Sequence, residues 1–134
     1  MNLKFEINKP IHIVFEYLTD MRKFVSVHPV ISKIDNISGN NFLVHETLTL
    51  VVIPISFTYP VTIDQNFNEK KEVIRAKIMK IIGIEMSYSL TSENNSTIVN
   101  ETISFKLPFP IKSLMQKTFK KQHTVLFKNI ETSK

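Results

Sequence analysis

The stretch from Ile7 to Ile34, INKPIHIVFEYLTDMRKFVSVHPVISKI, decides how the chain is read, because its hydrophobic period changes within it. The residues leading into it, LKFEIN, alternate and predict a short strand from Asn2 to Ile7. From Pro10 onward the spacing becomes helical, with Ile11, Val14, Phe15 and Leu18 on one stripe. Proline suits a first helical turn, where its missing N–H costs nothing. Asp20 is placed to cap a second short helix running through Phe24. Pro29 then forces the chain to extend again, and a strand follows from Val30 to Ile37.

Strands continue in series beyond it. SGNN turns the chain into a strand from Phe42 to about Val52, and Pro54 interrupts before a strand from Ile55 to Phe67. NEKK turns into Val73 to Lys80, IIG into Ile84 to Thr91, and a SENNS loop into a last strand from Thr97 to Leu107. Pro108 and Pro110 stop that strand and start a helix from Ile111 to about Ile130. Its apolar face is Met115, Phe119, Leu126 and Ile130, with Ile111 and Gln122 beside it. Lys117, Lys120, Lys121 and Lys128 lie opposite. The expected class is α+β, with one curved antiparallel sheet of seven strands around the C-terminal helix and two short helices after the first strand.

Composition excludes several chemistries. At 134 residues the chain is expected to be one domain, residues 1–134, with a core that needs no disulfide or metal. Cysteine is absent, which removes thiolate nucleophiles and zinc–thiolate sites. Gly39 and Gly83 are the only glycines, too few for a phosphate-cradling loop. The histidines at 12, 28, 45 and 123 show no ligand spacing, so neither metal nor cofactor is expected. The N-terminus lacks a secretory pattern and no apolar run is long enough to span a bilayer, so a cytoplasmic location is expected.

Charge is uneven. Between Pro110 and Lys134 six lysines stand against one acid, Glu131. They read as a solvated helix face, with weak contact to an anionic membrane as the other reading. Nucleic acid is not expected as a partner, since no arginine cluster or set of stacking aromatics accompanies them. Oligomeric state is not legible.

The informative residues are polar groups on apolar strand faces. In FLVHETLTL, Phe42 to Leu50, Glu46 shares a face with Phe42, Val44, Leu48 and Leu50. The next strand turns Phe57, Tyr59, Val61, Ile63 and Phe67 to one side, and a later one Met86, Tyr88 and Leu90. In the last strand Val99, Ile103, Phe105 and Leu107 share a face with Glu101. An ionised carboxylate in a dry core is too costly to keep, so it protonates, pairs, or meets water or ligand. Either the interior is hollow where Glu46 and Glu101 point, or a β-bulge turns them to solvent. Tyr59 and Tyr88 are core aromatics with hydroxyls reaching a partner, or ligand contacts. His123, on the shoulder of the helical stripe, is expected to pack or cap, and His28 could border an entrance.

The opening stretch, with its strand, its proline and VFEYLTD helix and its second helix ending near His28-Pro29, resembles the START-like, Bet v 1-like superfamily, also called SRPBCC or polyketide cyclase-like. The strand series and the helix PIKSLMQKTFKKQHTVLFKNI extend that resemblance over essentially the whole chain. Many relatives carry tryptophan just before the histidine or proline, where this chain has Val27. The resemblance implies a helix-grip fold whose sheet and last helix enclose an apolar cavity for lipids, sterols, polyketides or similar molecules, with a minority of members acting as cyclases or hydratases.

The expected function is therefore non-enzymatic binding of a small apolar or amphipathic molecule, for transport or sequestration. Phe57, Tyr59, Ile63, Met86, Tyr88, Ile103, Phe105, Met115, Phe119 and Gln122 would line the site, with Glu46 and Glu101 orienting a polar end. One alternative is a cyclase or dehydratase using Glu46 or Glu101 as general acid/base. Another is lipid delivery at a membrane surface through the lysine-rich helix face.

Overall fold

A computed structural model describes residues 1–50, 52–78, 82–108 and 110–133. The elements are β1 (Asn2–Ile7), α1 (Ile11–Thr19), α2 (Met21–Val27), β2 (Ile31–Ser38), β3 (Asn41–Leu50), β4 (Ile53–Asn66), β5 (Lys71–Ile78), β6 (Ile82–Glu93), β7 (Ser96–Lys106) and α3 (Ile111–Thr132). The strands form one sheet in the order β1-β7-β6-β5-β4-β3-β2, every neighbouring pair antiparallel. This is the α+β arrangement expected, with α1 and α2 after β1 and the long helix last.

Boundaries differ from the expected ones for identifiable reasons. Asp20 caps α2 as anticipated, accepting from the N–H groups of Arg22 and Lys23. The helix continues past Phe24 to Val27 because both of those side chains are buried, and packing outweighs the weak propensities of valine and serine. The SENNS loop shrinks to Asn94-Asn95, both at positive φ, a conformation asparagine tolerates at a tight hairpin turn. Ile82 and Gly83 belong to β6 rather than to a turn. The strand expected to run to about Val52 ends at Leu50, with Val52 in the turn, while the end expected at Lys80 lies outside the described residues.

Pro54 does not interrupt a strand; it lies inside β4, as does Pro60. The Ile63 N–H points toward β3, donating to Asn40. Alternation therefore turns the nitrogens of Pro54 and Pro60 to the opposite edge. There β5 pairing stops at Val61, so no ladder bond is forfeited. β2 likewise pairs with β3 only as far as Glu46. The tip of the β3–β4 hairpin thus extends beyond both neighbouring strands as a two-stranded ribbon.

The core divides along α3. Its C-terminal half packs dry, with Leu126, Phe127 and Ile130 fully buried and Phe127 against Phe5 at a ring separation of 4.5 Å. Each such side chain contributes roughly 1.5–3 kcal/mol by leaving water. The N-terminal half of α3 faces β3–β6 across space that side chains do not fill.

Candidate functional site

That space is a cavity of about 70 Å³, several times the ~10–15 Å³ that one water requires. Its walls come from β2–β6, α2 and α3, and are overwhelmingly apolar. Of the residues singled out in the sequence, Glu46, Phe57, Tyr59, Ile63, Met86, Tyr88, Met115, Phe119 and Gln122 line it. Glu101, Ile103 and Phe105 are buried on the same sheet face but do not border the cavity; Phe105 packs edge-on against Phe119. The strand pattern assigns the faces of these site residues correctly, though Phe67, expected inward, lies in the turn after β4 and is exposed; α3 lies over β7 and covers that part of the sheet.

Glu46 keeps its inward orientation. The pairing of β3 with β4 runs unbroken through Glu46 and Phe57, and the bulge in this region sits in β2, between Ile31 and Lys33. The Tyr59 hydroxyl donates to Oε1 of Glu46 at 2.7 Å. Burial pushes the Glu46 carboxyl above its ordinary range, opposed by that hydrogen bond and by His123. Tyr59 is itself driven up by burial and by the adjoining carboxylate, so it serves as a donor.

Glu101 meets a different partner. Nδ1 of His123 stands 2.5 Å from its Oε2, with both side chains sealed from solvent. His123 also borders the cavity. With Nδ1 turned to Glu101, Nε2 is the ring nitrogen available to a ligand. His123 was expected only to pack or cap. It lies four residues beyond Phe119 and three before Leu126, on the buried stripe itself, and that spacing was the signal available.

His28 is the second histidine in the wall. Its Nδ1 accepts from the backbone N–H groups of Val30 and Ile31 at 3.2 and 3.1 Å, which leaves the ring proton on Nε2. Burial, aided by the nearby His123, lowers its pKa to about 3. The ring is therefore neutral at physiological pH.

A third buried carboxylate went unnoticed in the sequence. Glu72 shares the inward face of β5 with Ile74 and Ala76, so strand alternation marks it just as it marks Glu46. Gln65 donates to its Oε2 at 3.0 Å, while Oε1 has no partner. Burial raises Glu72 to about 8, against that hydrogen bond. Register places Glu72, Tyr88 and Glu101 side by side on β5, β6 and β7. Burial and the two flanking acids raise the Tyr88 hydroxyl too, yet no well-aligned bond joins it to either. Among the described residues no cluster of three His, Asp or Glu is arranged to hold a metal, and no helix is long and apolar enough to cross a membrane.

No family pattern matches the chain, and no curated protein matches it in sequence. Solved structures do resemble it. The crystal structure of Ara h 8.0201 superposes with a TM-score of 0.75 at 15% identity, over 98% of this chain and 93% of the other. A START superfamily protein from Mycobacterium smegmatis gives 0.75 at 14% identity, over 98% and 96%. The di-domain ARO/CYC BexL from the BE-7585A biosynthetic pathway gives 0.82 at 8% identity, over 98% of this chain and 46% of that one. Three unlike proteins therefore share a similar backbone with this chain: it has the START-like, Bet v 1-like helix-grip fold.

Proposed function

We propose that the chain binds a small, mostly apolar molecule with one polar end in the cavity between the sheet and α3. The observation that carries this reading is the wall itself: apolar side chains on all sides, with Glu46, His28 and His123 brought among them from three separate elements. Such a space, apolar with a few convergent polar groups, is the usual design of a ligand site. The START-like fold of its structural neighbours supports it. The polar end would meet a neutral N–H donor from His28 and the carboxyl of Glu46, so a carbonyl or hydroxyl group fits.

Ala76 gives the test, because it lines the cavity and is buried. Ala76→Leu should fill the space with little loss of stability and lower ligand occupancy at least tenfold, as read by native mass spectrometry of protein recovered from its host. Wild-type protein recovered without any bound small molecule would overturn the proposal.

The Glu101–His123 pair favours a second reading, acid–base catalysis at the same site. In this reading the Glu101 carboxylate, 2.5 Å behind Nδ1, orients the imidazole in the bound state, and Nε2 takes a proton from substrate. Glu46, raised by burial, would return one. Two of the structural neighbours, BexL and StfQ, are ARO/CYC proteins of biosynthetic pathways. Deuterium exchange into small enolisable ketones, abolished by His123→Gln, would support this reading; equal exchange with and without protein would remove it.

A further inference from the structure

In an antiparallel meander, alternate connections fall at the same end. The strand order here therefore gathers the β3–β4 and β5–β6 connections and the exit from β7 toward α3 at one end. The other end carries the turns at Gly39-Asn40, 67–70 and Asn94-Asn95, mostly polar and marked by left-handed backbone.

The first end is built differently. Val52, Ile53 and Ile55 on the ribbon are 82%, 64% and 43% exposed, and Ile111 and Leu114 at the start of α3 are 49% and 64% exposed. Single exposed apolar side chains are ordinary, but a group gathered at one end marks an interaction site.

Charge identifies the partner. Segments 47–63, 76–84 and 102–118 contain five lysines, at 77, 80, 106, 112 and 117, and no aspartate or glutamate. Lys77, Lys106, Lys112 and Lys117 are exposed, and among the described residues none of these four is in an ion pair. The apolar groups sit on projecting tips rather than in a groove, a shape suited to entering a deformable apolar phase. Leu48, Phe57, Ile78 and Met115 continue from these tips into the cavity wall.

We propose that this end docks on an anionic lipid bilayer, its apolar tips entering the headgroup–acyl boundary and its lysines meeting phosphate headgroups. On α3 the surface takes in only the first turns, ending at Lys117, where the outward lysine row begins that continues through Lys120, Lys121 and Lys128. An apolar ligand would then pass between bilayer and cavity without crossing bulk water. The docking does not depend on the identity of that ligand.

Co-sedimentation of the full chain with ligand-free vesicles tests it, comparing phosphatidylcholine alone with phosphatidylcholine–phosphatidylglycerol mixtures. Binding to the anionic vesicles at low salt, weakened by added salt, is expected. The exposed-site double variant I53D/L114D should bind about tenfold or more weakly with an unchanged melting temperature, and K120Q/K121Q/K128Q should change less than about threefold. Absence of binding to anionic vesicles would overturn the proposal, as would equal losses in the two variants. A wild-type dimer that I53D/L114D converts to monomer, with vesicle binding unaltered, would also overturn it and assign the tips to self-association. Failure of ligand binding is read separately, in the Ala76→Leu experiment.

Discussion

His123 Nδ1 and Glu101 Oε2 lie 2.5 Å apart with neither side chain open to solvent; the contact is close but not a well-aligned hydrogen bond, and each is the other's nearest buried polar neighbour of opposite kind. Removing one strands the other. Glu101→Ala should cost about 3–5 kcal/mol in chemical denaturation, whereas Glu101→Gln, which preserves shape and an acceptor, should cost less. A loss below about 1 kcal/mol in Glu101→Ala would mean that the pair does not hold α3 to β7.

The Tyr59–Glu46 bond makes a separate prediction. Because that bond lowers the Glu46 carboxyl against the effect of burial, Tyr59→Phe should raise its titration midpoint further, visible by carbon-detected NMR of the side-chain carboxyl. The stability cost should be about 1–2 kcal/mol. An unchanged midpoint would contradict the geometry.

Glu72 should make the protein less stable as pH rises. Its folded pKa, about 8, lies above the ordinary carboxyl value of 4.5, so the folded state retains a proton that the unfolded chain gives up. Its contribution is fully present below about pH 4.5 and is lost toward pH 8, by at most about 5 kcal/mol. Glu72→Gln should flatten denaturation midpoints across that window and exceed wild type above it. Parallel pH profiles for the two proteins would exclude the effect.

His28 acts in the opposite direction. Its folded pKa of about 3 lies below the ordinary 6.5, so stability from this group is present above pH 6.5 and is lost as pH falls toward 3. Long-range proton–nitrogen NMR at pH 5 should show a neutral ring protonated on Nε2. Signals of a doubly protonated ring at that pH would be the contrary result.

How much of this was legible depends on whether a signal is local. Alternation in β3 and β7 turned Glu46 and Glu101 inward without help from any other element, and periodicity marked the stripe on α3. What alternation cannot report is which part of the sheet another element covers. Glu101 and Glu46 carry the same sequence signature, yet α3 seals one and leaves the other bordering open space. Glu72 was equally marked and was overlooked because Glu72-Val73 follows the lysine-rich NEKK, where charge suggested a turn. The place of His28 near an entrance was legible, but its protonation was not, since that depends on the backbone N–H groups of Val30 and Ile31 donating to its ring.

The ribbon at the tip of β3 and β4 has a further consequence. Its two strands hold each other, but past Thr47, whose N–H donates to Val30, and before Val61 no pairing to β2 or β5 is present among the described residues. Such a flap can lean outward at the cost of side-chain contacts alone, with no ladder bond broken. For the proposed binding, the resting volume beneath it would then be a starting size rather than a ceiling. Pro54 and Pro60 remove two N–H donors from that open edge of β4, which makes it a poorer template for a second chain.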